Sequence, residues 1–406
     1  EVNPYLQAIT EVLAEPARAA ADAADVALAR GETVGPLHGV PVTVKVNVDV
    51  AGSPTTAGMP VFAGDRPAGD SPAVGRLRAA GAIPFARTNM PDLGLRWHTE
   101  SSLHGVTRNP WDPRYTPGGS SGGEAAAIAT GMSPLGLGND IGGSVRWPAQ
   151  CCGMTAIRPT QGLVPHYDST VPIEVPLAFR LFLTDGPMAR HVADLALALS
   201  VLAGADPRDP WSVSPARTDL SGSLRIAVTT DPGGLGCDPT IAAGVRRAAD
   251  LLAGAGCRVE TIEPPAIVEA HELWGTLLGA ETRTIVLPVA RSLLAADALT
   301  VIEHLMAAFP ILDLAGYMEA LARRTQVARQ WALFLDRYDV VLGPVGCLPP
   351  FRLGDDLTAA GMAAIIGSMR LVTTCNLLGL PAAVVPVGTA DGLPQAVQLI
   401  AARYRE

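Results

Sequence analysis

The sequence predicts an α/β fold: a layered sheet flanked by α-helices in a single large domain. Short apolar runs of strand length alternate with longer runs of helix length, the order typical of layered sheets. Hydrophobic residues make up 48% of the 406 positions and charged residues only 17%, which suits a large core of buried strands. No linker-like or charge-rich segment divides the chain, so residues 1–406 are predicted to form one domain.

The first elements can be placed by their hydropathy patterns. Residues 7–30 are rich in alanine with scattered charges and predict a surface helix. Residues 40–50 alternate apolar and polar side chains, which predicts a strand with Thr43, Lys45 and Asn47 on the face opposite the valines. Glycine signals and periodicity then predict helix 71–80, strand 82–86, helix 124–131 and strand 134–138.

The second half of the chain continues the same alternation. A strand is predicted at 224–229, a helix at 239–254 and a strand at 257–261. Helices dominate from 266 to 337, and we expect this helical insertion to contribute to a substrate pocket. The closing elements are strand 339–342, a helix around 359–378 and strands 382–386 and 395–400.

Two glycine-flanked serine clusters and one lysine carry the chemistry. The clusters are Thr116-Pro-Gly-Gly-Ser-Ser-Gly-Gly-Glu124 and Asp140-Ile-Gly-Gly-Ser-Val-Arg146. Serines bracketed by glycines lie where the backbone turns sharply or approaches another group closely. Lys45 lies between two valines, where burial can hold a lysine without its charge. Together they are the parts of a nucleophilic hydrolase that needs no histidine base.

Ser144 is the candidate nucleophile of the second cluster. A serine hydroxyl attacks only when a base removes its proton, and Lys45 is the candidate base. The attack also needs donors for the oxyanion that develops on the carbonyl. The successive backbone N–H groups of Ile141, Gly142, Gly143 and Ser144 can converge on one point and are the predicted oxyanion hole.

The remaining residues of the two clusters are predicted to be a scaffold. Gly118 and Gly119 allow a tight turn, and Asp140 and Arg146 are expected to pair with the backbone or with each other. Ser121 has an alternative role, because it can cap the following helix in a capping box. Glu124, three residues further on, would complete that box.

These motifs resemble the amidase signature family of serine hydrolases. The lysine motif is Gly39-Val-Pro-Val-Thr-Val-Lys45, and the serine motifs are Gly118-Gly-Ser-Ser-Gly-Gly123 and Asp140-Ile-Gly-Gly-Ser-Val-Arg-Trp-Pro148. The intervals of 75 residues from Lys45 to Ser120 and 24 from Ser120 to Ser144 are those expected of the family. The resemblance extends over nearly the whole chain.

The resemblance implies a large mixed sheet wrapped by helices. It also implies a cis peptide bond between Gly119 and Ser120, with the Ser120 hydroxyl relaying protons between Lys45 and Ser144. Amide hydrolysis would then proceed through an acyl-enzyme on Ser144, with no metal or other cofactor.

Aromatic residues near the serine clusters are candidates for an apolar or aromatic acyl pocket. Trp147 follows the nucleophile closely, and Trp97 lies in a loop that the family places near the site. Ordinary core packing is the alternative for both. The far wall could come from side chains of the helical insertion, namely Trp274, Leu305, Met306, Phe309 and Tyr317.

Composition limits the partners. The net charge is −9 and basic residues are not clustered, which argues against nucleic acid and anionic membranes as partners. Six scattered cysteines show neither zinc nor redox-motif spacing and are expected to be free thiols in the cytoplasm. The expected partner is a small-molecule amide or carbamate, and association as a homodimer is left open.

Several activities fit the same chemistry. The first hypothesis is hydrolysis of a carboxamide with an apolar or aromatic acyl part. The same acyl transfer would serve a carbamate (urethane), anilide, hydrazide or ester hydrolase. Two further alternatives are the amidase subunit of a tRNA-dependent amidotransferase and a catalytically inactive binding module.

Overall fold

The computed structural model describes residues 2–170, 174–216 and 222–406. The strands within these ranges are β1 (Ile9–Val12), β2 (Pro41–Lys45), β3 (Ile83–Thr88), β4 (Glu100–Ser101), β5 (Gly105–Val106), β6 (Leu135–Asp140), β7 (Thr155–Arg158), β8 (Thr184–Ala189), β9 (Arg225–Val228), β10 (Arg258–Thr261), β11 (Val340–Pro344), β12 (Ala382–Ala390) and β13 (Leu393–Ala401).

The helices are α1 (Asn3–Leu6), α2 (Ala14–Ala29), α3 (Pro72–Ala79), α4 (Gly122–Ala129), α5 (Arg146–Cys152), α6 (Leu177–Phe182), α7 (Val192–Leu202), α8 (Pro239–Gly254), α9 (Ile267–Glu281), α10 (Leu287–Ala290), α11 (Ala296–Ala307), α12 (Leu314–Arg337), α13 (Ala359–Ser368) and α14 (Arg370–Leu378). A π-helical turn, Thr282–Val286, joins α9 to α10.

One mixed sheet of eleven strands organises the molecule, which confirms the predicted fold class. The strand order is β1-β3-β2-β6-β8-β7-β12-β13-β11-β9-β10. Strands β3, β2 and β6 are parallel at one end, and β11, β9 and β10 are parallel at the other. The strands between them pair antiparallel. Strands β4 and β5 form a separate two-stranded sheet.

Helices cover both faces of the sheet because its strands bury side chains on both sides. In β2, Val42 and Val44 pack in a cluster with α3 and α7, while Thr43 points to the opposite side and contacts α4. In β11, Val341 joins the largest core cluster, which includes side chains of α5, α9, α12 and α14. Its neighbours Val340 and Leu342 pack on the other face with α8. Strands buried on both faces suit the high apolar content of the sequence.

The predicted helix over 7–30 was wrong in its first part. Residues Ile9–Val12 form β1, an edge strand antiparallel to β3, and the helix begins only at Ala14. Pairing with β3 outweighs the local helical preference, as tertiary contacts often do. The predicted helix around 359–378 is two helices that meet at Met369.

Strands β7 and β8 and helices α6 and α7 were not among the predicted elements. Strand β8 reads Thr-Asp-Gly-Pro-Met-Ala, whose glycine and proline are turn signals rather than strand signals. Its antiparallel partners β6 and β7 supply the order that the local sequence does not.

Within the described ranges, no single helix is long and apolar enough to cross a membrane. Helices α13 and α14 pass that test only as a pair, and they are bent by 60° relative to each other.

Candidate active site

The candidate base lies at the end of a central strand. Lys45 is the last residue of β2, and neighbouring β6 runs parallel to β2. The Lys45 ammonium nitrogen is 2.6 Å from the Ser120 hydroxyl and 2.6 Å from Oδ1 of Asn139, near the end of β6. Lys45 is fully buried, and it is the only lysine among the 406 residues.

Burial prepares Lys45 to act as a base. Desolvation lowers the pKa of Lys45 from its ordinary value of 10.5 to about 7, although the carboxylates of Asp140, Asp185 and Glu124 oppose the shift. A lysine with this pKa is substantially neutral at physiological pH. A neutral amine can accept a proton from the hydroxyl that it contacts.

The first serine loop contains one cis peptide bond, between Gly119 and Ser120, where the resemblance implied it. The glycines of this loop are closely packed. A side chain on Gly119 would lie 2.6 Å from the backbone oxygen of Arg96, and one on Gly118 would lie 2.5 Å from the backbone of Pro148. The close packing fixes the position of Ser120 beside Lys45.

Ser121 does not form the capping box that was its alternative role. It is the N-cap residue of α4, but its side chain makes no capping hydrogen bond. Its hydroxyl lies 3.5 Å from the backbone oxygen of Asn139. The Glu124 carboxyl is instead buried under the sheet, where it accepts hydrogen bonds from Thr43 and Thr88. Burial raises the pKa of Glu124 to about 7 despite these two bonds and the nearby Lys45 and Arg87 charges.

The candidate nucleophile lies in the loop between β6 and α5, residues 141–145, here called the nucleophile loop. Ser144 is only 4% exposed and Ser120 only 2%. The Ser121 N–H donates to the Ser144 carbonyl over 3.1 Å, so the two serine loops are in direct contact. Among the described residues there is no hydrogen bond between the Ser120 and Ser144 hydroxyls, and this last step of the relay stays a prediction.

Asp140 and Arg146 hold the nucleophile loop at both ends. The Arg146 guanidinium donates to both Asp140 oxygens over 3.0 Å, and Asn376 of α14 donates to Asp140 over 2.8 Å. Arg146 also donates to Gln398 of β13. Burial alone would raise the pKa of the Asp140 carboxyl, but Arg146 and Arg158 outweigh it and hold that pKa well below its usual range. The carboxylate is therefore charged and fully paired.

Only part of the predicted oxyanion hole is available as donors. The N–H of Gly143 donates to the Asp140 carboxylate over 2.8 Å. Gly143 therefore anchors the loop instead of facing a substrate, and its positive φ of 99° explains the need for glycine there. The N–H groups of Ile141, Gly142 and Ser144 make no hydrogen bond within the part of the chain that the structure describes. These three remain the candidate oxyanion donors.

Tryptophans surround the nucleophile loop. The indole N–H of Trp97 donates to the Gly142 carbonyl over 2.8 Å, and that of Trp274 donates to the Ile141 carbonyl over 2.9 Å. The indole N–H of Trp147 donates to the Trp97 carbonyl over 3.0 Å. Trp147 also stacks on Phe351 at a centroid distance of 6.2 Å, which is the core packing that was its alternative role.

The helical segment 266–337 brings an aromatic cluster to the nucleophile loop. His271, Trp274 and Phe309 contact one another, with ring centroids between 5.8 and 6.3 Å apart. Beside them a cavity of about 510 Å³ is lined by residues that include His271, Thr276 and Phe309. Leu305 and Met306 are buried in the main core, and the Tyr317 hydroxyl donates to Glu281. A contribution of this segment to the substrate pocket stays a prediction.

Three polar contacts of the site were missed from the sequence. Asn139 accepts from Lys45, Asn376 donates to Asp140, and Trp274 donates to Ile141. Asn139 had a local signal, because it is a polar residue at the end of a strand beside the second serine motif. The partners from α14 and α9 are 236 and 133 positions away and had none.

Comparison with known proteins follows the same features. A family model described as "Amidase" matches residues 1–406, so the chain belongs to the amidase family. It is an amidase-signature hydrolase. An indoleacetamide hydrolase of Bradyrhizobium diazoefficiens is 41% identical over 409 residues, covering 100% of this chain and 78% of that protein. A subunit of the glutamyl-tRNA(Gln) amidotransferase of Chloroflexus aurantiacus is 33% identical, covering 100% and 87%.

Solved structures show the same fold. A 6-aminohexanoate cyclic dimer hydrolase in complex with substrate has a TM-score of 0.85 and 27% identity, covering 100% of this chain and 88% of that one. A bacterial aryl acylamidase of the amidase signature family has a TM-score of 0.83 and 27% identity, covering 99% and 86%.

Proposed function

We propose that this chain hydrolyses the C–N bond of a small carboxamide with an aromatic acyl part, through an acyl-enzyme on Ser144. The observation that carries the proposal is the 2.6 Å contact between the buried Lys45 amine and the Ser120 hydroxyl, in a loop that touches Ser144. Together they form a path for protons that needs no histidine. His98 is an unsuitable base, since burial and the nearby Arg96 charge lower its pKa to about 3.

The proposed cycle conserves its protons. Ser144 attacks the amide carbon and passes its proton to Ser120, while Ser120 passes its own proton to neutral Lys45. The reverse transfer protonates the amine as the C–N bond breaks, and this step makes an amide cleavable. Water then attacks the acyl-enzyme by the same path. The products are a carboxylic acid and ammonia or an amine.

The acyl preference rests on two supports. An aromatic cluster of Trp97, Trp274 and Phe309 lies beside the nucleophile loop. The relative at 41% identity is an indoleacetamide hydrolase, whereas the relative from the tRNA-dependent amidotransferase is 33% identical. Indole-3-acetamide is therefore the first substrate to test, and aryl carbamates and anilides belong in the same panel.

The decisive experiment combines covalent labelling with turnover. Wild-type protein and Ser144→Ala are treated with a fluorophosphonate, and the intact mass and the labelled peptide are determined. We expect one adduct on Ser144 of the wild type and none on the variant. Ammonia release from indole-3-acetamide should fall at least about a thousandfold in the variant. Labelling at Ser120 or Ser121, or turnover retained by Ser144→Ala, would overturn the assignment.

Location and assembly are proposed on less direct grounds. All six cysteines are free, which favours a reducing compartment and a cytoplasmic location. Fractionation of the native host would test the location. The homodimer is tested by measuring the solution mass of the purified protein by light scattering.

A further inference from the structure

Two indole groups donate to consecutive carbonyl oxygens of the nucleophile loop. Trp274 donates to Ile141 over 2.9 Å, and Trp97 donates to Gly142 over 2.8 Å. Both peptide units are trans, because the only cis bond in the described ranges is that between Gly119 and Ser120. In a trans peptide the C=O of one residue and the N–H of the next point in opposite directions. Each indole therefore sets the direction of one N–H.

The two N–H groups have different fates. The N–H of Gly143 is on the far side of the peptide held by Trp97, and it donates to Asp140 over 2.8 Å. That peptide is held at both of its ends. The N–H of Gly142 is on the far side of the peptide held by Trp274, and within the described ranges no protein acceptor faces it. It is a directed donor with an open position in front of it.

We propose that Trp274 and Trp97 are positioning residues that orient the peptides of the nucleophile loop, so that the Gly142 N–H is aimed at the substrate oxyanion. The inference rests on the proposed function of Ser144. Donors fixed before the reaction stabilise a developing oxyanion without reorganisation. A hydrogen bond to the carbonyl of a peptide also polarises it, which strengthens the N–H as a donor by roughly 10–30%.

The Trp274 indole is held firmly enough to fix the peptide. It stacks on His271 with planes 13° apart, and it meets the edge of Phe309 at 81°. Its other side lies against Gly142, where an added side chain would come within 2.6 Å of the ring. Glycine at position 142 is therefore required by the close approach of Trp274 to the loop.

The test removes one indole N–H while keeping an aromatic ring. In Trp274→Phe we expect kcat to fall about tenfold with KM nearly unchanged, because the lost effect acts mainly on the transition state. Trp331→Phe is the matched control. Trp331 is an equally buried tryptophan of α12, and its indole N–H has no hydrogen-bond partner among the described residues. That variant should keep kcat.

A second variant separates the two indoles. Trp97→Phe should lower kcat less than Trp274→Phe, because the Gly143 N–H that Trp97 directs remains bound to Asp140. Equal kcat values for wild type and Trp274→Phe would overturn the proposal. A rise in KM in Trp274→Phe without a fall in kcat would also overturn it, since that result indicates a pocket wall instead of a positioning role.

Fluorophosphonate labelling gives a readout that does not depend on the substrate. The phosphonyl oxygen also gains negative charge when Ser144 attacks, so Trp274→Phe should label several-fold more slowly than Trp331→Phe. Wild type that labels on Ser144 while both variants label at its rate would contradict the positioning role alone. A wild type that does not label would contradict the proposed function itself.

Discussion

At the scale of single residues, two adjacent serines have different environments. The Ser120 hydroxyl is 2.6 Å from the Lys45 amine, whereas the Ser121 hydroxyl is 3.5 Å from a backbone oxygen. Sequence alone placed both in the same glycine-rich loop. The structure separates them, and the separation can be measured.

We expect Ser120→Ala to lower kcat at least about a hundredfold, because it breaks the proton path between Lys45 and the nucleophile. Ser121→Ala is the matched control, and it should lower kcat less than about tenfold. Steady-state kinetics of both variants, with melting temperatures to verify folding, test the prediction. A larger loss in Ser121→Ala would assign the relay to the wrong serine.

The pH dependence of activity should report the protonation of Lys45. Only the neutral amine accepts a proton, and burial lowers the pKa of Lys45 to about 7. We therefore expect kcat/KM to fall about tenfold per pH unit below pH 7 and to level off above it. A profile measured from pH 5 to pH 9 tests this. Constant kcat/KM between pH 5 and pH 7 would contradict Lys45 as the base.

At the scale of elements, helix α4 brings the first serine loop against the sheet. Gly123 in its first turn touches the backbone of its neighbours, and an added side chain would lie 2.5 Å from Asn89 and 2.8 Å from Ala8. These contacts are to main-chain atoms, which cannot rotate away. The spacing between α4 and strands β1 and β3 thus depends on the missing side chain.

We expect Gly123→Ala to lower the free energy of unfolding by about 3 kcal/mol or more, because backbone must move to admit the methyl group. Gly75→Ala in the middle of α3 is the control, since nothing lies within 4 Å of the added atom. That substitution should stabilise the protein by about 0.5–1 kcal/mol through its helix preference. Urea unfolding of both variants provides the comparison. Equal stabilities would show that α4 can shift without cost.

The elements also show what could be read from the sequence. Helix α8, predicted at 239–254, begins and ends there, because a proline start and an amphipathic pattern are local signals. The serine and lysine motifs were found for the same reason. Strand β8 was missed, because its order comes from β6 and β7 on either side. Contacts such as Asn376 with Asp140 join distant positions, and no local pattern encodes them.

At the scale of the whole molecule, the buried base has a cost in stability. The unfolded chain holds Lys45 near its ordinary pKa of 10.5, and the folded protein lowers that pKa to about 7. Between these pH values the unfolded state binds the additional proton. The free energy of unfolding should therefore rise with pH over this interval, by up to about 1.4 kcal/mol per unit from this group.

Lys45→Met should lack that rise. We expect its stability relative to wild type to be greatest at pH 7 and below, and to decrease steadily up to pH 10. Urea unfolding of both proteins at pH 7, 8, 9 and 10 tests the difference, in which shared groups cancel. Parallel stability curves for the two proteins would show that Lys45 is not desolvated in the folded state.

The single lysine of the chain makes its base unusually easy to observe. A protein grown with isotope-labelled lysine would give one side-chain signal in a magnetic resonance spectrum, and that signal would belong to Lys45. Its titration could be followed directly, with and without an acyl group on Ser144. The outer surface, in turn, offers no lysine amine to coupling reagents, so immobilisation or crosslinking of this enzyme must use carboxylates or introduced cysteines.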